Sequence, residues 1–390
     1  MNAYRYITAL GIIIAGLFVV SGCKSSEQPA QTETAQGSGI TAEKVVGGLQ
    51  EPVSLIFLSK TQWLVAERRS GRIRWIENGK LHPEPFATVQ VPTPAGYNEY
   101  GLLGLAVDPD YADNHYVYAF HTIGSGNRAT GQRIVRFTVQ DGMGANMTTI
   151  VDNLPAGASC CHNGGRILFG PDGKLYVTLG DTQRQDQAQN YDSVAGKVLR
   201  YNPDGSIPND NPFEKPQTGS ARTATDDQAD KPLDGQSTPV YALGFRNPFG
   251  ITVNPDDGEM YLTDNGPDYG DEVNHLVAGD NYGWPAVMGY SDDPRFRSPL
   301  WATGNTTIAP TGIAVYTGTE FAQFRGNLFF AAYNDGKLRR AILNNPNSIT
   351  SVEIVQAAGS NARLDVAMGP DGRLYFTSLD AVYRLRPAGG

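Results

Sequence analysis

From residue 40 onward, short apolar runs alternate with clusters of Pro, Asp, Asn and Gly, and one phrase keeps returning: a polar turn, then a short strand of alternating aliphatic and aromatic residues. It stands at Trp63-Leu64-Val65-Ala66, at Asp108-Pro109-Asp110 into Tyr116-Val117-Tyr118, and at Pro171-Asp172-Gly173 into Leu175-Tyr176-Val177. It returns at Pro255-Asp256-Asp257-Gly258 into Met260-Tyr261-Leu262, at Gly326-Asn327 into Leu328-Phe329-Phe330, and at Pro370-Asp371-Gly372 into Leu374-Tyr375-Phe376. The six copies stand roughly 45 to 85 residues apart, about the length of a four-stranded blade with variable loops. No long segment carries a 3.6-residue apolar period, and 45 glycines and 25 prolines supply turns throughout. The pattern predicts an all-β, six-bladed β-propeller. A pair of β-sandwiches would use as many strands but would not explain six related phrases.

In a propeller the innermost strands line a central channel and the loops at one end build the site. The longest irregular insertion, residues 202–239, is rich in Asp, Pro, Thr and Gln and reads as an excursion over one face. Aromatic residues in the loops at 97–100, 284–290 and 299–311 suit sugar faces, although aromatics are equally ordinary propeller packing.

The N-terminus sets the compartment. Arg5 precedes an apolar run over residues 7–20, and Val20-Ser21-Gly22-Cys23 then forms a lipobox. The run is short for a membrane span, so residues 1–22 read as a lipoprotein signal peptide with Cys23 as the lipidated residue. An ordinary signal peptide or a short membrane anchor are the alternatives. Residues 23–39, rich in Ser, Gln, Thr and Gly, read as a flexible tether to the propeller at 40–390. The expected location is the bacterial cell envelope, with the propeller in the periplasm and the membrane reached through the lipid.

Composition adds one exclusion. With 31 basic and 40 acidic residues the net charge is −9, and no basic stripe marks a nucleic-acid surface. The pairs Arg68 with Arg69 and Arg339 with Arg340 read as solvated strand ends.

Cys160 and Cys161 are the remaining thiols, and an oxidising compartment favours pairing them. Adjacent cysteines close only a vicinal ring, so two buried thiols remain an alternative and two metal ligands a weaker one. They sit beside His162 in a glycine-rich loop, and the strand that follows ends at Gly180-Asp181. A histidine so held, with a carboxylate at the next strand end, is a candidate general base with its orienter.

Several stretches, taken in order, resemble the soluble pyrroloquinoline quinone (PQQ) dependent glucose and aldose sugar dehydrogenases, the glucose/sorbosone dehydrogenase family. They are His162-Asn163-Gly164-Gly165-Arg166, Gly180-Asp181, Gly196-Lys197-Val198-Leu199-Arg200 and Asp204-Gly205-Ser206-Ile207-Pro208. Gly244-Phe245-Arg246-Asn247-Pro248, Gly266-Pro267, Asp271-Glu272-Val273-Asn274 and Asn281-Tyr282-Gly283-Trp284-Pro285 complete the set, which spans residues 40–387. The resemblance implies that His162 takes the proton from a sugar's anomeric hydroxyl while hydride passes to PQQ, with Asp181 holding the imidazole. It implies that Arg246 and Asn247 contact the cofactor, and that the carbonyls of Gly266 and Pro267 hold a Ca²⁺ which polarises the quinone. Asp271, Glu272 and Tyr282 match positions around a further calcium; a solvated acidic turn is the alternative reading. A small-molecule sugar and a periplasmic or membrane electron acceptor are the implied partners.

The chain also departs from the family pattern. Glu99 stands where a glutamine is expected, Cys161 where an acid adjoins the histidine, and Phe249 where a glutamine follows Arg-Asn-Pro. Asn334 replaces a cofactor-binding lysine, with Lys337 three positions on, and Ala362 and Leu364 replace two arginines flanking Arg363. A cofactor with three carboxylates then meets a thinned cationic cradle, which Arg246, Lys337 and Arg363 would serve by a shifted geometry. By similarity to quinoprotein alcohol dehydrogenases, a Cys160–Cys161 disulfide could stack on the quinone. Two other functions share the scaffold. A calcium-dependent lactonase would gather Glu99, Asn163, Asn247 and Asp181 on the axis, and a non-catalytic sugar-binding propeller would dispense with PQQ.

Overall fold

The computed structural model describes residues 34–36, 39–157, 159–214 and 237–389. Cys23, the 1–22 leader and the middle of the 202–239 excursion lie outside the described residues, as does most of the 23–39 tether. The described strands form six sheets. Blade 1 holds Pro52–Phe57, Gln62–Glu67, Arg72–Glu77 and Lys80–Leu81. Blade 2 holds Leu102–Val107, Tyr116–Ser125, Arg128–Gln140 and Met143–Leu154. Blade 3 holds Ile167–Phe169, Leu175–Leu179, Lys197–Tyr201 and Val240–Leu243. Blade 4 holds Pro248–Val253, Met260–Asp264, Glu272–Leu276 and Trp301–Ala302. Blade 5 holds Pro310–Val315, Leu328–Ala332, Leu338–Asn345 and Ser348–Val355, with Thr34–Gln36 parallel on its outer edge.

Blade 6 takes Val366–Met368, Leu374–Thr377 and Ala381–Pro387 from the chain end and Ile40–Gly47 from its start. Ile40 pairs opposite Pro387, so main-chain hydrogen bonds lock the first blade strand to the last. Each innermost strand packs against the next around the ring, and the sixth meets the first. This is the six-bladed β-propeller the repeated phrase predicts.

Each copy of the phrase is the second strand of one blade, and the turn before it closes the first hairpin. The side chains explain the pairing of turn and strand. Tyr118 donates its hydroxyl to Asp108 at 3.0 Å, Tyr176 to Asp172 at 3.0 Å and Tyr375 to Asp371 at 2.8 Å. The turn carboxylate thus satisfies the one polar atom of a ring otherwise buried between blades. The same rings cross blade boundaries: Tyr375 packs on Trp63 and Phe57 of blade 1 at 5.1 and 5.0 Å between centroids.

Four of the innermost strands break register near their start, at Pro52/Ser54, Leu102/Gly104, Pro248/Ile251 and Pro310/Ile313. Such bulges bend a strand and re-aim side chains, and all four lie where the chain enters the channel from the same end. Midway down, Arg166 Nη1 pairs with Asp365 Oδ1 at 2.9 Å and its Nη2 donates to the Leu364 carbonyl at 2.9 Å. This buried pair lines a cavity of about 400 Å³ walled by the innermost strands, and a second cavity opens among the loops.

Three of the four paired arginines correct the sequence expectation of solvated strand ends, while Arg69 is exposed as expected. Arg68, Arg339 and Arg340 are buried. Arg68 reaches Glu51 at 2.6 Å, Arg339 pairs with Asp335 at 2.7 Å, and Arg340 lies 4.7 Å over the Phe324 ring. Long aliphatic stems let these residues fill space between blades while their heads find carboxylates. Among the described residues no helix is long and apolar enough to cross a membrane.

Candidate active site

The loop-end cavity, about 370 Å³, falls within the range of small-molecule sites and brings together loops from five of the six blades. Its wall includes Glu99, Cys161, His162, Arg246, Asn247, Gly266 and Pro267, which the chain order scatters over 169 positions (267 − 99 + 1).

His162 Nδ1 lies 2.7 Å from Asp181 Oδ1. The carboxylate is almost fully buried and receives two further donors, the Gln183 backbone N–H on Oδ1 at 2.7 Å and the Trp284 indole N–H on Oδ2 at 2.9 Å. An acceptor at Nδ1 puts the ring proton there and leaves Nε2 as the basic nitrogen. The backbone is unusual at His162 and just after Asp181: φ is +59° at His162, +56° at Thr182 and +64° at Gln183. Left-handed conformations at non-glycine residues cost about 1–3 kcal/mol each and persist only where the surroundings impose them. Gly180 is the compensating small residue, since a Cβ there would sit 2.3 Å from the His162 carbonyl.

Glu99 anchors the loop from the other side. Its Oε2 accepts from the His162 N–H at 2.7 Å, from the Asn163 N–H at 3.5 Å and from Asn247 Nδ2 at 3.3 Å. Asn247 in turn accepts the Gly164 N–H at 3.2 Å. The polar groups that a lactonase-type axial metal would need are therefore engaged with one another and with the loop backbone. The Tyr97 ring is exposed at the rim, while its hydroxyl is pushed up to about 12 by burial and by the Glu99 carboxylate beside it.

Cys160 and Cys161 form the vicinal disulfide. Gln183 Oε1 accepts from the N–H groups of Ser159 at 3.1 Å, Cys160 at 3.2 Å and Cys161 at 3.4 Å, so the residue that fixes Asp181 also holds the disulfide turn. Cys161 lines the cavity and Cys160 does not.

Arg246 donates Nη1 to the Asn265 carbonyl at 3.0 Å and the Gly266 carbonyl at 2.8 Å, and its guanidinium stands 5.6 Å from the Trp284 ring. Its backbone N–H and that of Asn247 end on Asp264 at 3.0 and 2.7 Å. Asp264 faces Glu272 across the second hairpin of blade 4; burial raises both carboxyls, with the Asp181 charge adding to the first and the Asp264 charge to the second.

Three expectations change at this point. Lys337 and Arg363 do not line the cavity; the Arg363 guanidinium is turned onto the Tyr333 carbonyl behind its wall. The cations on the wall are Arg246 and Arg68, the latter masked in the sequence by its position in a strand-end arginine pair. Asp271 is committed as well: it accepts from the N–H groups of Gly266 at 2.9 Å, Ile308 at 2.6 Å and Ala309 at 2.9 Å, and from the Thr307 hydroxyl at 2.9 Å.

Glu272 accepts from the Gly289 N–H at 2.6 Å and from Asn274 Nδ2 at 2.9 Å, and the Tyr282 hydroxyl donates to the His275 carbonyl at 2.5 Å. Among the described residues no three His, Cys, Asp or Glu side chains gather as a metal cluster. The carboxylates of Asp271 and Glu272 are committed to loop donors here, and the Tyr282 hydroxyl is engaged too, although the group expected to face a calcium at Tyr282 is its carbonyl. The Gly266 and Pro267 carbonyls, on the cavity wall, do offer hard oxygen ligands. A cation on Gly266 would replace the Arg246 hydrogen bond.

A six-bladed ring with a histidine–carboxylate pair at the wall of an arginine-bearing cavity defines a propeller equipped for acid–base chemistry. The glucose/sorbosone dehydrogenase family model matches residues 49–384, and the chain belongs to that family. It is 27% identical to the aldose sugar dehydrogenase of Escherichia coli strain K12, over 86% of this chain and 89% of that protein. It is 30% identical to quinoprotein glucose dehydrogenase B of Acinetobacter calcoaceticus, over 77% of this chain and 65% of that one. The PQQ-bound aldose sugar dehydrogenase of Streptomyces coelicolor superposes with a TM-score of 0.73 at 27% identity, covering 91% of this chain and all of that one.

Proposed function

We propose that this protein is a PQQ-dependent aldose dehydrogenase in which His162 is the general base. The observation that carries the reading is the His162 Nδ1 to Asp181 Oδ1 contact of 2.7 Å at the wall of an arginine-bearing cavity. When bound, PQQ supplies a two-electron acceptor for the hydride leaving the anomeric carbon. The chain supplies the proton chemistry: Nε2 takes the hydroxyl proton, and Asp181 stabilises the imidazolium that forms. Arg246 would face a carboxylate of the cofactor, Asn247 and Glu99 would fix the floor of the site, and the carbonyls of Gly266 and Pro267 would receive Ca²⁺. Rigid aromatic groups at the rim, Tyr97 and Tyr333, suit the apolar face of a sugar ring.

The disulfide supports an oxidising compartment, and with the lipobox at Cys23 it favours a lipid-anchored periplasmic enzyme delivering electrons to a periplasmic or membrane acceptor. Cys161 on the cavity wall supports a disulfide that lies against a flat cofactor. Unchanged PQQ affinity in Cys161→Ser would remove that role.

The decisive test is reconstitution. PQQ and Ca²⁺ added to the purified protein should change the quinone absorbance and support dye reduction with at least one aldose. Neither change appearing would overturn the proposal.

A further inference from the structure

Trp284 is buried and sits at the centre of the site without lining the cavity. Its indole N–H ends on Asp181 Oδ2 at 2.9 Å, on the oxygen that does not face His162. The main chain that carries the ring is held at both ends. The Trp284 N–H donates to the Gly244 carbonyl at 2.9 Å, and its own carbonyl receives Gln189 Nε2 at 2.6 Å. Gln189 is clamped in turn by a reciprocal amide pair with Asn281, at 3.0 and 2.9 Å. The turn that carries Gln189 is held underneath by the buried Lys197, whose ammonium donates to the carbonyls of Gln187, Ala188 and Ala195 at 2.7, 2.9 and 2.9 Å.

A carboxylate rotates easily about its last bond, and a single contact to His162 would leave the imidazole free to follow it. With Gln183 N–H on one oxygen and the indole on the other, that rotation breaks two hydrogen bonds to a charged group at once. We propose that Trp284 is a positioning residue for the proton transfer: it acts through Asp181, fixing the plane of the carboxylate and hence the ring orientation and tautomer of His162. The charged groups around the carboxylate are His162 itself, Arg246, whose carbonyl accepts the Asp181 N–H at 2.8 Å, and Asp264 behind it. None of them donates a side-chain hydrogen bond to Asp181 Oδ2 among the described residues. The role rests on the reading of His162 as the base, but the first readout of its test, the Nδ1 resonance, needs no turnover.

The test replaces the indole N–H while keeping the ring. Trp284→Phe is the simple variant. Incorporation of benzothienylalanine at position 284, which puts sulfur where the N–H stands and keeps the bicyclic shape, serves if phenylalanine does not fold. In ¹⁵N-labelled protein without cofactor, the downfield Nδ1 proton of His162 should broaden or move upfield in either replacement. In the PQQ-loaded enzyme kcat should fall by about tenfold to a hundredfold with KM within about twofold. An Nδ1 resonance and kcat both unchanged in a folded replacement would overturn the positioning role. A shifted resonance in a protein that shows no dehydrogenase activity even with Trp284 intact would leave the positioning role standing and count against the proposed reaction instead.

Discussion

Replacing Asp181 by asparagine isolates what the carboxylate contributes, because the shapes match and only charge and acceptor count change. Three donors converge on Asp181: His162 Nδ1, the Gln183 N–H and the Trp284 indole N–H. Asparagine has one acceptor atom. If its oxygen faces His162 and Gln183, its NH₂ meets the indole N–H donor to donor. If its oxygen faces the indole, the NH₂ meets His162 Nδ1, which must then accept, and Nε2 becomes the protonated nitrogen that cannot serve as base.

The lost charge adds to this. With side-chain exposures of 16% for His162 and 2% for Asp181, screening by water is slight. Two unit charges about 4 Å apart at an effective dielectric of 20 attract by about 4 kcal/mol, and a hydrogen bond to a charged group is worth about 1.5–3 kcal/mol net. A loss of about 3 kcal/mol in the transition state lowers kcat by about 150-fold. Dye-linked oxidation of an aldose by the PQQ-loaded variant measures it, with thermal unfolding as the control for integrity. A fall of less than about fivefold in kcat, or a loss confined to KM, would refute the assignment of Asp181 as the partner of the base.

Glu99→Gln keeps an acceptor for the His162 N–H and removes a negative charge from a cavity proposed to take a tricarboxylate, so PQQ should bind about tenfold more tightly by fluorescence titration. The same change should bring the Tyr97 hydroxyl part of the way down from about 12, because burial, the larger cause, stays while the Glu99 charge goes, read by ultraviolet titration of the phenolate. Arg166→Leu strands Asp365 in the channel and should cost about 3–5 kcal/mol in urea unfolding, most of it recovered when Asp365 is also replaced by leucine. Burial already raises Asp365, and without Arg166 its folded value rises further above the unfolded one. The stability deficit of Arg166→Leu should therefore shrink as pH falls from 7.5 to about 4.5, and a deficit independent of pH would refute the sign.

The strand pattern and the turn chemistry are local, and for that reason the sequence alone reaches the six blades: in three of them an Asp in the turn bonded to a Tyr of the next strand marks the first hairpin. His162 and Asp181 are likewise legible, because one loop and the strand after it carry both, and adjacency leaves the vicinal cysteines a single possible ring. What was not legible depends on ring closure. Trp284 reaches Asp181 across 103 positions and Asn247 reaches Glu99 across 148, distances no periodicity encodes. The cationic wall could not be read either, since a charged side chain is placed by the partner that satisfies it. Arg363 turns to the Tyr333 carbonyl and Asp271 to the backbone of a neighbouring loop, while Arg68, outwardly one of a surface pair, is drawn inward by Glu51 and the loop carbonyls of Asn98 and Tyr100. Local chemistry determined the blades and the His162–Asp181 pair; the closed ring decided which distant groups stand around it, because only burial against another blade fixes where a long polar side chain ends.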